Sequence, residues 1–343
     1  MKIVKMAEEI LKLIGSSSKL ERDKAIEKLS NSISEGDICT WSSVKKSLDG
    51  ITKDTEISWE EKHGYLLAQK CLAVISKDER PDSEFVSHLT DICLAWLTDT
   101  EVRVRVAAGE CLGELCHQFG PSVYTACRET VLMLVQTNLE RKVDKENKSG
   151  AEEIHETGKL MEKLTRNQSW EASSIFHDTA GWKNLETSLS CLQRMVEGLG
   201  ILASEFINEE LLQLIFICLT HTNRFVRETG FHVCTTFVSV CSLEENKAED
   251  AMEVDTDNLN NYDNPIVKYG DVLSDHLAQG LADNWSQVRL SASTAARAFL
   301  ASLEEHIREQ FYPKLLPRIC LNRYFVFGEC CSFHICLNIV DIT

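Results

Sequence analysis

The sequence is short of helix breakers, with five prolines and sixteen glycines among 343 residues. The apolar residues are Leu, Ile, Val, Ala and Cys rather than a β-rich set, and no alternating run is long enough for a sheet, so helices are expected throughout. Positive charge is also scarce, with 36 basic against 53 acidic side chains and a net charge of −17. That balance argues against direct binding of nucleic acid or of anionic lipid, and favours basic partners where charge drives recruitment. No apolar stretch is long enough to span a bilayer. Met1–Ile14 is broken by Lys2, Lys5, Glu8, Glu9 and Lys12, which is unlike a signal peptide.

Fourteen cysteines are present, yet none forms a CxxC pair. Ten precede residue 242 and lie mostly in apolar helical stripes, as buried hydrophobes of a reducing compartment do. A cytoplasmic or nuclear location, or both, follows as the expectation. HExxH, GxSxG, GxGxxG and the phosphate-binding GxxxxGK[ST] are all missing, so no catalytic residue, cofactor or metal ligand is assigned and the chain is not expected to be an enzyme.

What the sequence does contain is an internal repeat. Three segments align without a gap: Leu97-Thr98-Asp99 with Val104-Arg105, Leu219-Thr220-His221 with Val226-Arg227, and Leu281-Ala282-Asp283 with Val288-Arg289. Small or apolar residues then recur 3, 4, 7, 8 and 11 positions after each valine, from Ala107 to Leu115, Thr229 to Phe237 and Ser291 to Phe299. Those offsets trace one face of a helix. Val226 and Val288 lie 62 residues apart, and 41 without Glu244–Asn264. Val104 and Val226 lie 122 apart, and 80 without Arg141–Trp182, which is two units of 40.

This pattern resembles the HEAT/armadillo repeat, with an Asp in the turn between two helices and Val-Arg opening the second; His221 departs from it in the middle unit. The spacing agrees with the roughly 40–47 residues of such repeats. The resemblance implies an all-α solenoid of about six helix pairs carrying two polar insertions. The unit between Val104 and Val226 would pair helices near Ser122–Glu140 and Leu185–Ala203. Toward the N-terminus, Ile3, Met6, Ile10, Leu13 and Ile14 make one amphipathic helix that Gly15 stops. Capping boxes at Ser18-x-x-Glu21 and Ser58-x-x-Glu61 start two more, the first with Ala25, Ile26, Leu29 and Ile33 inward, the second with Leu67, Cys71, Val74 and Ile75.

The expected organisation is helix pairs over 1–140, a charged and aromatic insertion over 141–182, repeats over 183–243, an acidic loop over 244–264, repeats over 265–322, and an atypical apolar, Cys-rich tail over 323–343. The signature residues Asp99, Val104, Arg105, Val226, Arg227, Asp283, Val288 and Arg289 have two readings. In one the arginines tie each unit to a turn Asp; in the other they form a cationic row for an acidic partner. The insertion concentrates Trp170, Phe176 and Trp182, either packing on the stack or contacting a partner. Glu244–Asp263 holds eight acids and one lysine, and reads as a solvated loop or as a latch for a basic segment. Asp255-x-Asp257 starts like a calcium loop but meets Asn260 where Gly and Ile266 where Glu is required. Cys330, Cys331, His334 and Cys336 lack the two separated pairs of a zinc site. The tail suggests a truncated array with an uncapped end able to self-associate.

A solenoid offers a long surface for another polypeptide rather than converging catalytic groups. The functional expectation is therefore a protein-binding scaffold or adaptor, with a nuclear-transport-like carrier for basic cargo as the alternative.

Overall fold

A computed structural model describes residues 2–35, 38–74, 83–140, 181–242 and 264–326. In chain order the α-helices are α1 (Lys2–Ile14), α2 (Lys19–Ser34), α3 (Ile38–Leu48), α4 (Trp59–Ala73), α5 (Ser83–Trp96), α6 (Val102–Phe119), α7 (Pro121–Glu140) and α8 (Trp182–Leu199). They continue with α9 (Glu209–Leu219), α10 (Arg224–Ser242), α11 (Pro265–Lys268), α12 (Gly270–Leu281), α13 (Ser286–Ala301), α14 (Glu305–Arg308) and α15 (Tyr312–Val326). Single 3₁₀ segments cover Gly200–Phe206 and Glu309–Phe311, and no strand occurs among the described residues.

Local chemistry sets the helix ends. Ser58 caps α4 through a full capping box, its hydroxyl accepting from Glu61 N (3.3 Å) while Glu61 Oε2 accepts from Ser58 N (2.8 Å). Gly120, at φ +70°, ends α6 and lets Pro121 open α7 immediately afterwards. Ser18 departs from the expected box. It precedes α2 but makes no side-chain cap, because Ser16 Oγ donates to Glu21 Oε2 (2.5 Å).

The helices pack in pairs, α1 with α2, α3 with α4, α5 with α6, α7 with α8, α9 with α10 and α12 with α13, and each pair lies on the next. The second helices α2, α4, α6, α8, α10 and α13 pack in sequence as one row, and α15 lies against α12 and α13 after the last pair. This is an all-α solenoid. One continuous apolar cluster runs from Ala7 to Leu315 through every pair. Val104, Val226 and Val288 are fully buried in it, with Ala107, Ala108, Cys111, Leu112 and Leu115 and their counterparts in the later units.

The tightest contact joins α6 to α8. A Cβ at Gly198 would lie 2.1 Å from the Gly113 carbonyl oxygen, and one at Gly113 2.8 Å from that of Arg194. Only α-carbons that carry no Cβ permit this backbone approach.

Two sequence expectations shift. The inward face of α4 is Gly64, Tyr65, Leu66, Ala68, Gln69, Leu72 and Ala73, while Leu67 and Cys71 are half-buried and Val74 is exposed. Neighbouring second helices cover α4 on two sides, so its buried arc is wider than one stripe and is centred elsewhere. At the other end α15 continues to Val326, so the helix overruns the expected boundary at residue 322. Trp170, Phe176, the acidic run through Asp263 and the cysteines beyond Val326 lie outside the described residues.

Candidate interaction surface along the turn edge

Between the helices of a pair the chain makes one recurring turn. In four of these turns a polar side chain accepts the backbone N–H two residues on: Ser16 Oγ from Ser18 N (3.1 Å), Asp99 Oδ1 from Glu101 N (2.9 Å), His221 Nδ1 from Asn223 N (3.0 Å) and Asp283 Oδ1 from Trp285 N (2.9 Å). Six residues after each stands an arginine that donates through Nη1 to that residue's own carbonyl: Arg22 to Ser16 O (2.5 Å), Arg105 to Asp99 O (2.7 Å), Arg227 to His221 O (2.8 Å) and Arg289 to Asp283 O (2.8 Å). His221 therefore takes the capping place of an Asp. Its imidazole accepts only while Nδ1 is unprotonated, and burial, with help from Arg227, holds its pKa below the ordinary 6.5.

The basic residue is the fourth of its helix in α2 (Arg22), α4 (Lys62), α6 (Arg105), α10 (Arg227) and α13 (Arg289). From there several reach into the next unit. Lys62 Nζ meets Asp99 Oδ2 at 2.7 Å. Arg227 grips Asp283 with Nε on Oδ2 (2.7 Å) and Nη2 on Oδ1 (3.1 Å), and the two side chains are only 15% and 11% exposed. Arg105 Nε donates instead to the hydroxyl of Thr187 on α8 (3.1 Å). Arg22 places its guanidinium 5.2 Å from the Trp59 ring. Of the arginines quoted in the sequence signature, then, Arg227 holds a neighbouring Asp, Arg289 holds the carbonyls of its own turn, and Arg105 does the latter and adds a hydroxyl.

Outside this ladder runs a row of rings and guanidinium groups. Trp182, the first residue of α8, stacks on Phe225 of α10 at 4.9 Å and 18°. Arg224 lies 4.6 Å from the Phe225 centroid and 4.0 Å from that of Trp285, just before α13. Phe225 is 39% and Trp285 49% exposed. A second cluster sets Arg103 over Trp59 at 4.5 Å. The sequence reading reached Trp182 but missed Arg224, Phe225 and Trp285, and also Arg22 and Lys62. The last two follow Glu21 and Glu61 rather than a valine, yet an Arg or Lys four residues past a cap was a usable signal.

Elsewhere most of the described cysteines are buried, with Cys71 half-buried and Cys320 on α15 exposed. Burial pushes the thiols of Cys127, Cys218 and Cys234 up to about 12 and that of Cys71 to about 11, so they stay protonated. No three His, Cys, Asp or Glu side chains come together as a metal site among the described residues.

The family model for the HEAT repeat matches residues 89–119, the end of α5 and all of α6. That match identifies one HEAT repeat, and the helix pairs stacked on either side of it are consistent with an all-α solenoid of HEAT type. No curated protein matches the sequence.

Proposed function

We propose that the chain is a non-catalytic scaffold or adaptor that holds a protein partner along its helical surface. The observation supporting this most is the stacking itself. Contacts run from each pair to the next, so chemical groups spread along a surface instead of converging. HEAT repeats commonly serve protein–protein interaction, and the net charge of −17 favours a basic partner over nucleic acid. No described helix is long and apolar enough to cross a membrane. The cytoplasm, the nucleus or both is the proposed location. The residues between α7 and α8 and those between α10 and α11 are read as insertions between stretches of repeats, the residues after α15 as a separate tail, and the C-terminal end as a site of self-association.

The second reading, a nuclear-transport-like carrier for basic cargo, rests on the same acidic charge. Affinity purification of the full chain with mass spectrometry separates the two. One stable complex is the expected result. A spectrum of basic cargoes released by a GTPase would establish the carrier, and recovery of no protein would remove both readings.

A further inference from the structure

Resting on the scaffold reading, we propose that Trp182, Phe225, Arg224 and Trp285 form a binding row for a short extended segment of a protein partner, with Arg224 taking an Asp or Glu carboxylate and the rings flanking apolar side chains. Three observations carry this. First, Arg224 has no hydrogen bond and no ion pair among the described residues, although its neighbours Arg227 and Arg105 are both bonded. Its guanidinium instead lies over the rings of Phe225 and Trp285. A guanidinium held over ring faces keeps its N–H donors available to meet a carboxylate bidentately. Second, Phe225 and Trp285 are exposed, whereas the other aromatics among the described side chains are buried or half-buried, and a surface aromatic paired with an arginine has the composition of an interface anchor. Third, the row is built on a rigid base. Asp283, locked by Arg227, accepts the Trp285 N–H, and Asn223 Oδ1 accepts the Phe225 N–H at 2.9 Å. The interior ladder thus positions the exterior row.

The length of the row sets the size of its occupant. Trp182, Phe225, Arg224 and Trp285 follow one another at 4.9, 4.6 and 4.0 Å, so the end rings lie within about 14 Å of each other. An extended chain covers that in about four residues. The carboxylate subsite is local and is compatible with a partner that is basic elsewhere.

The test uses the full chain and a fluorescein-labelled hexapeptide alternating phenylalanine with glutamate, followed by fluorescence anisotropy. Its comparison peptides carry glutamine or lysine in place of glutamate. The glutamate peptide should bind about tenfold more tightly than the glutamine one, the effect of one charge-assisted bidentate contact. Arg224→Met should abolish that preference, and Trp285→Ala should weaken all the peptides together, both without a change in melting temperature. Equal binding of the lysine peptide, or an unchanged preference in Arg224→Met, would overturn the assignment. Self-association in sedimentation that Arg224→Met removes would give the row to a second copy and equally overturn it. If the purified chain holds a partner that Arg224→Met still retains, the row fails while the scaffold reading stands.

Discussion

Replacing Arg227 with methionine tests whether the ladder ties the units together. The substitution keeps the length and apolar stem of the side chain but removes the bidentate pair to Asp283 and the bonds to the carbonyls of His221 and Thr222. Asp283 is left with the Trp285 N–H as its hydrogen-bond donor, in a place where its side chain is 11% exposed. Removing one partner of a buried ion pair costs about 3–5 kcal/mol when burial is complete, so about 3 kcal/mol is expected here. Arg289 is the internal comparison. Among the described residues it bonds only to its own turn, at Asp283 O and Asn284 O, and Arg289→Met should cost about 1 kcal/mol. Repeat arrays need not unfold in one step, so the reading is the difference in urea midpoint between the two variants, followed by circular dichroism. A double-mutant cycle with Asp283→Asn should give a coupling of at least about 1 kcal/mol, little changed by added salt because the pair is buried. Arg227→Met no more costly than Arg289→Met, together with additive cycle energies, would show that the ladder is incidental to stacking.

Gly198→Ala should cost about 3 kcal/mol, since the new Cβ meets a backbone carbonyl that cannot rotate away, whereas Gly50→Ala, with nothing within 4 Å, should leave the urea midpoint alone. Stability should fall with acid from pH 6.5 downward. His221, His63 and His276 all have pKa values depressed by burial, so the unfolded chain takes up protons first, and the stabilisation present above 6.5 is lost toward the lower folded values. His221→Asn keeps a non-titrating acceptor for Asn223 N, so thermal melts from pH 7 to 5 should show a shallower decline in that variant. Replacing Glu244–Asp263 with a short Gly-Ser linker should leave the melting temperature unchanged, because Asn264 Nδ2 already donates to Cys241 O at 3.2 Å and the flanking ends are adjacent; unfolding on deletion would make that segment structural.

The repeat was readable in the sequence because its makers are local. A buried valine, small residues at helical offsets and a turn acid recur in order, and the helix period turns that order into one inward face. The same logic found the Ser58 cap, whose partners lie three residues apart. It failed where two local options compete, as at Ser16 and Ser18, and where the valine was absent. Arg22 and Lys62 occupy the same helical place as Arg105, four residues past a cap, but no valine precedes them to mark it.

What the chain order determined by itself was therefore the helices, their inward faces and the register of the units. Which arc of α4 is buried was decided by the helices on either side of it. The partner of each ladder residue was likewise decided by stacking: Asp283 for Arg227 lies 56 residues away, and Thr187 for Arg105 lies 82. The row of Trp182, Phe225, Arg224 and Trp285 belongs to three units and comes together only when they pack. A helix period reports what faces the core within one unit. It holds no information on which side chains of separate units meet at the edge, because that depends on the offset between helices joined by long, unequal connections.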